Sequence, residues 1–256
     1  MKSKIFGLIA MLCIVWMPNE VFASSSEYEL VSESTKYYKT VTYYRNDISL
    51  SNIMLNANYI PYSETIEITE DEYLNADEDN YIIYANPVSV ETTYKKMTSS
   101  ILSNGSYYRY KNVLVWKNMP ATRSYDIIAI GFFQSVKLHG SSYFLQEYCY
   151  TSGTCSSTTS NSPQVFSSGA GTTFKLPTGT LSSLSQTFYF DVEKNTTSTI
   201  ASQYAYSDYA HATSTISLAN AKKYTVSQSL GIVLDSSVES YYDTISTANA
   251  SWSGSW

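Results

Sequence analysis

The stretch Tyr125-Asp-Ile-Ile-Ala-Ile-Gly-Phe-Phe133 decides the fold. From Ile127 to Phe133 it is apolar without alternation, and it is the most hydrophobic segment after the N-terminal leader. A short apolar run that does not alternate is typical of a strand covered on both faces. We therefore predict that residues 125–133 form the central strand of a β core.

The composition around this run indicates an all-β protein. The chain contains 25 tyrosines, is rich in Ser and Thr, and has only 15% charged residues. Tyr and Thr favour pleated, half-exposed surfaces, and no long stretch carries a helical period. Many short strands at regular spacing are typical of an antiparallel β-sandwich or a jelly roll. We expect one of these two architectures.

The N-terminus is typical of a signal peptide. Lys2 and Lys4 precede an apolar run from residue 5 to residue 16, and Ala23 is the small residue before the expected cleavage. Twelve apolar residues are too few to span a bilayer, which needs about 20. We expect a cleaved leader at 1–23, and a secreted or extracellular protein whose mature chain has no transmembrane segment.

The charge is unevenly placed along the mature chain. Residues 24–94 carry 13 acidic and 3 basic side chains, whereas residues 95–256 carry 8 acidic and 11 basic ones. We therefore divide the chain into an acidic, Tyr-rich segment at 24–86, packed on or preceding the core, and a β-sandwich domain at 87–256. An acidic leading segment argues against nucleic acid as the general partner.

An acidic run at 64–79 leaves two interpretations open. It lacks the central Gly of a regular calcium loop, but clustered carboxylates can hold Ca²⁺ irregularly. The alternative, a solvated loop without any cofactor, is favoured. No other metal site is expected.

Two cysteines remain after leader cleavage, Cys149 and Cys155. In an exported chain, a pair with five residues between its members predicts one disulfide that closes a small loop. A metal or redox pair is the weaker alternative, because no His or third Cys lies nearby in the sequence.

Asn104-Gly105 lies between two β-like runs, 88–102 and 107–116, and predicts a hairpin with a two-residue turn. This register pairs Ile101 with Tyr108 and places Met97, Leu114 and Trp116 on the core face. The opposite face then presents a row of aromatic and basic side chains, which we call the strip: Tyr94, Lys96, Tyr107, Arg109 and Lys111. The strip either binds an external anionic polymer or docks the chain's own acidic run, and docking is slightly favoured.

The segments that follow predict a four-stranded meander over 88–150. The central strand at 125–133 would continue to a turn at His139-Gly140, and a fourth strand would run from 143 to 150. In this arrangement each strand pairs with the one before it.

Catalytic signatures are weak. The chain has only two histidines, and a set of His211, Asp208 and Ser214 is a poor match to a catalytic triad. Asp126, Glu147 and Asp191 are candidates for paired carboxylates in glycoside hydrolysis, which depends on their separation in space. The pattern favours a protein without catalytic residues.

Three hypotheses of function follow. The first is a secreted, non-enzymatic β-sandwich that binds a surface polymer such as a glycan, or a partner protein. The second is a β-pore-forming toxin, in which the Ser/Thr-rich strands at 156–185 and 195–218 would insert into a membrane. The third is a carboxylate-dependent glycoside hydrolase. The sequence indicates no oligomeric state.

Overall fold

The computed structural model describes residues 28–45, 62–76, 83–85, 88–160 and 162–256. The expected signal peptide at 1–23 and residues 77–79 of the acidic run lie outside the described residues.

Fifteen strands account for most of the described chain. They are β1 (Glu29–Arg45), β2 (Tyr62–Ile68), β3 (Ile83–Ala85), β4 (Val88–Ser103), β5 (Tyr108–Trp116), β6 (Tyr125–Gly131), β7 (Val136–Tyr150), β8 (Cys155–Ser160), β9 (Gln164–Phe166), β10 (Gly169–Lys175), β11 (Leu181–Lys194), β12 (Ser202–Ala212), β13 (Tyr224–Ser227), β14 (Gly231–Leu234) and β15 (Tyr242–Ser253).

Within the described residues, helix is confined to short segments: α1 (Glu70–Asn75), α2 (Leu218–Ala221) and a 3₁₀ turn (Glu239–Tyr241). Helix α1 begins with a capping box in which Thr69 and Glu72 satisfy each other's backbone N–H groups. None of the helices in the described part of the chain has the length and apolar character needed to cross a bilayer.

The strands form an antiparallel β-sandwich, as the sequence predicted. The first sheet has the order β2-β1-β4-β5-β11-β7-β8, with β3 paired to β4, and the second has the order β15-β12-β6-β10-β9. A separate hairpin of β13 and β14 lies outside the second sheet. The molecule therefore has three layers at this point.

Strand β6 is the middle strand of the second sheet, and both of its faces are covered. Ile128 and Ile130 pack in the main core between the sheets. Ile127 and Ala129 point the other way and pack under the β13–β14 hairpin, in a cluster with Tyr224, Val226 and Ile232. Most of the unbroken apolar run at 127–133 thus lies in a strand, β6, that is covered on both faces, as we predicted.

Two glycines of the second sheet let the β13–β14 hairpin pack directly against it. A Cβ atom at Gly131 would overlap the carbonyl oxygen of Ser227, and one at Gly169 would overlap the side chain of Val226. Neither contact is tolerated by real Cβ atoms, so the missing side chains are what allow the third layer to lie directly on β6 and β10.

The predicted meander over 88–150 is wrong. Strand β5 is followed in the first sheet by β11, and β6 crosses into the second sheet between β12 and β10. Strand β7 then returns to the first sheet on the far side of β11. The physical reason is that β6 needs cover on two faces, whereas β11 alternates and buries Phe188, Phe190 and Val192 on one face only.

The hairpin of β4 and β5 has a different register from the predicted one. Ile101 pairs with Tyr110, because the connection holds four residues, 104–107. The Asn104 side chain accepts hydrogen bonds from the amides of Ser106 (3.0 Å) and Tyr107 (2.8 Å), which stabilises the wider turn. The shift is by two residues, so the buried face is the predicted one: Met97, Leu114 and Trp116 lie in the core.

The acidic N-terminal segment forms part of the first sheet. Strand β1 lies between β2 and β4 and pairs with β4 from Glu29 to Arg45. At the opposite edge of this sheet, the predicted disulfide between Cys149 and Cys155 joins β7 to β8.

Candidate ligand-binding site

The β13–β14 hairpin covers only part of the outer face of the second sheet. Beyond the hairpin tip, three half-buried aromatic side chains remain on this face: Phe133, Tyr204 and Tyr206. Alternation along β12 places the two tyrosines there, because Ala205 packs in the core and Gln203 accepts a hydrogen bond from Tyr110 of the first sheet. The uncovered end of the sheet is therefore aromatic.

These three rings form an ordered group. The rings of Tyr204 and Tyr206 are nearly parallel, with 18° between their planes and 5.8 Å between their centroids. Phe133 meets both edge-on, at 5.3 Å from Tyr204 and 5.8 Å from Tyr206. Edge-to-face packing is a favourable arrangement of aromatic pairs and fixes the orientation of the two tyrosines.

A cavity of about 420 Å³ opens beside the rings, and we call it the aromatic cleft. The residues that line it are uncharged: Phe133, Gln134, Ser135, Ser202, Tyr204 and Gln228. Two exposed polar residues of β15, Asn249 and Ser251, lie opposite Tyr206 and Tyr204 in the strand register. Apolar ring surface next to amides and hydroxyls is typical of a site for a neutral polar ligand.

Burial raises the pKa of Tyr206, and the neighbouring Tyr204 hydroxyl raises it further. Both effects disfavour the phenolate. Tyr206 therefore stays neutral at physiological pH, as a hydrogen-bond donor and acceptor.

A second cavity of about 370 Å³, the edge cleft, lies on the other side of the hairpin tip. Its lining comes from five elements: Tyr38 of β1, Thr65 and Glu67 of β2, Asp208 of β12, Leu230 and Ile232 at the start of β14, and Thr244 and Ile245 of β15. Leu230 is the most exposed of these apolar side chains, at 68%.

Asp208 is almost fully buried beside this edge cleft. Its carboxylate accepts hydrogen bonds from the amides of Ile232 and Tyr209, each at 2.8 Å. Burial raises its pKa to about 8 and outweighs the two hydrogen bonds, which lower it. Asp208 therefore attaches the third layer to the second sheet.

The strip predicted from the sequence lies on the outer face of the first sheet, away from both clefts. Arg109 is held there by its neighbours: it makes two hydrogen bonds to Asp191 and lies between the rings of Tyr28 and Tyr189. Tyr28 also donates to Asp191 at 2.7 Å. This guanidinium therefore anchors the start of the described chain.

The other strip residues are spread over the same face. Lys96 lies over the ring of Tyr37 at 5.8 Å, and Tyr107 stacks on His139 with 3.9 Å between ring centroids. Burial lowers the pKa of Lys111, and the nearby Arg109 lowers it further. Tyr94 lies on the same face, opposite Lys39. The five residues do not converge on one cavity.

The acidic run contacts the neighbouring strand β1. Glu67 forms an ion pair with Lys36 at 2.8 Å, and Glu70 accepts a hydrogen bond from Tyr37 at 2.6 Å. The run thus reaches Tyr37, the neighbour of Lys96, and its docking onto the strip itself stays a prediction.

The carboxylates considered for hydrolysis lie apart. Asp126 is buried between the sheets, where Tyr209 donates a hydrogen bond to it and His211 Nδ1 lies 2.9 Å from it. Glu147 and Asp191 share the outer face of the first sheet, but Glu147 lies opposite Ser185, six residues from Asp191 along β11. Six residues of strand span roughly 20 Å, far beyond the ~5–10 Å between the carboxyl groups of a glycosidase pair.

The set of His211, Asp208 and Ser214 is not assembled. His211 is partnered by Asp126, whereas the Asp208 carboxylate points out of the opposite face of the second sheet toward Ile232. Alternation along β12 separates the two, because successive side chains point to opposite faces.

No three His, Cys, Asp or Glu side chains group as a metal site in the described ranges of the chain. Comparison of the chain with protein-family models, with curated proteins and with solved structures gives no match. The assignment of function therefore rests on the geometry of the site.

Sequence reasoning missed the aromatic cleft. The available signal was the alternation Tyr204-Ala205-Tyr206, in which a small inward residue separates two tyrosines of the other face. Among 25 tyrosines this pattern was not distinctive.

Proposed function

We propose that this is a secreted, non-enzymatic β-sandwich protein that binds a neutral glycan in the aromatic cleft. The observation that carries the proposal is the group of Phe133, Tyr204 and Tyr206 beside an uncharged rim of amides and hydroxyls. The export signal expected at residues 1–23 would bring such a protein to extracellular polysaccharides.

The chemistry of a sugar ring suits this site. The C–H bonds on one face of a pyranose carry partial positive charge, which complements the negative face of a tyrosine ring. The hydroxyls at the ring edge need donors and acceptors, and the amides of Gln134 and Gln228 supply both. An anionic polymer would find no basic side chain among the residues that line this cleft.

Preorganisation further supports binding. Phe133 packs edge-on against both tyrosines, so a ligand does not have to order them. Fixing a rotamer-rich side chain on binding costs about 0.5–1.5 kcal/mol, and this cost is already met in the free protein.

The test is binding of soluble cello-, xylo-, malto- and chito-oligosaccharides by isothermal titration calorimetry, with polygalacturonate as the anionic comparison. We expect a neutral series to bind, and we expect Tyr204→Ala and Tyr206→Ala each to weaken binding about tenfold or more, as for a contact worth about 1.4 kcal/mol.

Two matched variants separate the cleft from the strip. Tyr107→Ala removes a half-buried tyrosine from the β4–β5 connection of the first sheet and should leave neutral-sugar binding unchanged. The triple variant Lys96→Ala/Arg109→Ala/Lys111→Ala should do the same. Loss of binding in these variants, with binding retained in Tyr204→Ala, would assign the site to the strip and overturn the proposal.

A further inference from the structure

The aromatic cleft and the edge cleft lie on either side of one structural feature, the tip of the β13–β14 hairpin. Gln228 on one side of the tip lines the aromatic cleft, and Leu230, two residues later, lines the edge cleft. The tip is fixed at both ends, because Ser227 lies against Gly131 and the Ile232 amide donates to Asp208. It therefore forms a rigid ridge between two openings.

Strand β12 runs from one cleft to the other and passes under the ridge at Asp208, which is buried there. Its outward side chains are, in order, Tyr204, Tyr206 and Asp208: the first lines the aromatic cleft and the last lines the edge cleft. The adjacent strand β15 runs beside it and exposes Ser251, Asn249 and Thr244. Ser251 and Thr244 are seven residues apart along β15, which is roughly 23 Å in an extended strand. This length accommodates several sugar rings of an extended chain.

The charge along this path suits an uncharged occupant. The Glu67 carboxylate of the edge cleft is already paired with Lys36 at 2.8 Å. Both Asp208 oxygens accept backbone hydrogen bonds, and burial raises the pKa of this group to about 8, so that it is mostly protonated at neutral pH. The edge cleft therefore offers hydroxyl and apolar contacts, from Thr65, Thr244 and Leu230, to a neutral chain.

Leu230 offers an apolar contact surface at the edge cleft. Its side chain is 68% exposed, although it lies on a fixed turn at the mouth of a cavity. Single exposed apolar residues are ordinary on protein surfaces, so Leu230 supplies contact area to a ligand in the edge cleft but does not by itself mark a site.

We infer that the two clefts form one continuous track that binds an internal stretch of a neutral polysaccharide chain, with the aromatic cleft and the edge cleft as successive subsites. This inference rests on the proposed function, because the aromatic cleft is its first subsite. It adds that the affinity rises with the length of the bound saccharide, because longer saccharides also contact the edge cleft.

The experiment measures affinity against chain length, with the neutral oligosaccharide series that binds in the calorimetric panel, from disaccharide to octasaccharide. For the parent protein we expect affinity to rise by about tenfold or more between the trisaccharide and the hexasaccharide, the equivalent of about 1.4 kcal/mol. In the double variant Leu230→Ala/Thr244→Ala, the trisaccharide should bind as in the parent, and the gain with length should largely disappear.

Two further variants complete the design. Thr244→Arg places a bulky cation on an exposed strand position in the edge cleft and should also remove the length dependence. Val165→Ala, at an exposed apolar position on β9, is the matched control and should behave like the parent.

The outcomes are distinguishable. If short oligosaccharides bind and the hexasaccharide binds equally well to the parent and to both edge-cleft variants, the track is refuted while the aromatic cleft stands. If no oligosaccharide or polysaccharide of the panel binds at any length, the proposed function fails, and the inference fails with it.

Discussion

The Asp208 carboxylate accepts a hydrogen bond from the Ile232 amide at 2.8 Å, and this bond joins the β13–β14 hairpin to the second sheet. The same carboxylate accepts from the Tyr209 amide of its own strand. Gly231 lies directly against the carboxylate with a φ of +66°, where a Cβ atom would overlap it. The Asp208 side chain therefore fixes the β14 end of the ridge between the two clefts.

Replacing Asp208 by Ala should loosen the hairpin. Two backbone amides lose their acceptor in a buried place, and each unsatisfied group costs about 1–3 kcal/mol. For the two amides together we expect a loss of unfolding free energy of about 2–6 kcal/mol in urea denaturation, together with faster amide hydrogen exchange in β13 and β14. Ser229→Ala, on the exposed side of the same tip, is the control and should be close to neutral. Unchanged exchange in the hairpin of Asp208→Ala would show that apolar packing alone holds it.

The raised pKa of Asp208 predicts a pH dependence of stability. Burial raises this pKa from 3.8 to about 8, so between these values the native protein holds a proton that the unfolded chain releases. Since stability falls with pH wherever the native state binds more protons, the contribution is present at low pH and is lost as pH rises toward about 8. Urea denaturation at pH 5, 7 and 9 should show this decline in the parent relative to Asp208→Asn, in which position 208 does not titrate. Parallel profiles for the two proteins would contradict the assignment.

Gly131→Ala tests the close approach of the third layer. The added Cβ atom would overlap the carbonyl oxygen of Ser227, so the hairpin tip must move away from β6. Because Gln228 follows Ser227 and lines the aromatic cleft, we expect both lower stability, by about 1–3 kcal/mol as for other overpacked sites, and weaker oligosaccharide binding. Gly153→Ala, in a turn with space around the added atom but a φ of +88°, is the comparison for a purely local backbone effect. Its binding should equal that of the parent.

The disulfide should stabilise the protein without affecting either cleft. Cys149 and Cys155 close a short loop at the edge of the first sheet, for which chain entropy gives about 2 kcal/mol. The double variant Cys149→Ser/Cys155→Ser should lose about this much unfolding free energy, measured in urea, and should bind oligosaccharides as the parent does. A loss of binding would mean that the first sheet and the aromatic cleft are coupled.

The fold was predictable where local pattern reports burial directly. The apolar run at 127–133 predicted a strand covered on both faces, and this holds whichever sheet contains it. The neighbours of that strand were not predictable in the same way. The position beside β5 is taken by β11, which lies far along the chain, and only long-range packing selects it over β6.

The hairpin register was predicted wrongly and the aromatic cleft was not predicted at all, for different reasons. The loop of the first hairpin is decided by the Asn104 side chain, which accepts from two amides, whereas the sequence pattern favoured a tighter turn. The aromatic cleft is decided by where the β13–β14 hairpin ends, because the half-buried Tyr204 and Tyr206 lie beyond its tip and are not covered by it. Nothing in the Tyr204-Ala-Tyr206 segment itself indicates where the β13–β14 hairpin ends.

A buried ion pair gives the last prediction. Lys95 is completely buried, with its ammonium 3.3 Å from Asp243 and 4.8 Å from the centre of the Trp116 ring. Asp243 also accepts hydrogen bonds from Thr65 at 2.7 Å and Thr40 at 3.2 Å, so this one carboxylate links β1, β2 and β4 of the first sheet to β15 of the second. Removing one partner of a buried pair leaves an uncompensated charge.

Lys95→Met should therefore cost about 3–5 kcal/mol of unfolding free energy, measured in urea. The double variant Lys95→Met/Asp243→Leu should recover part of this loss, because no charge is then left buried. Lys137→Met is the control, since this lysine pairs with Glu193 on the surface and should cost less than about 1 kcal/mol. If Lys95→Met proves as mild as Lys137→Met, the Lys95 ammonium contributes nothing to joining the two sheets, and the hydroxyls of Thr40 and Thr65 suffice to hold Asp243.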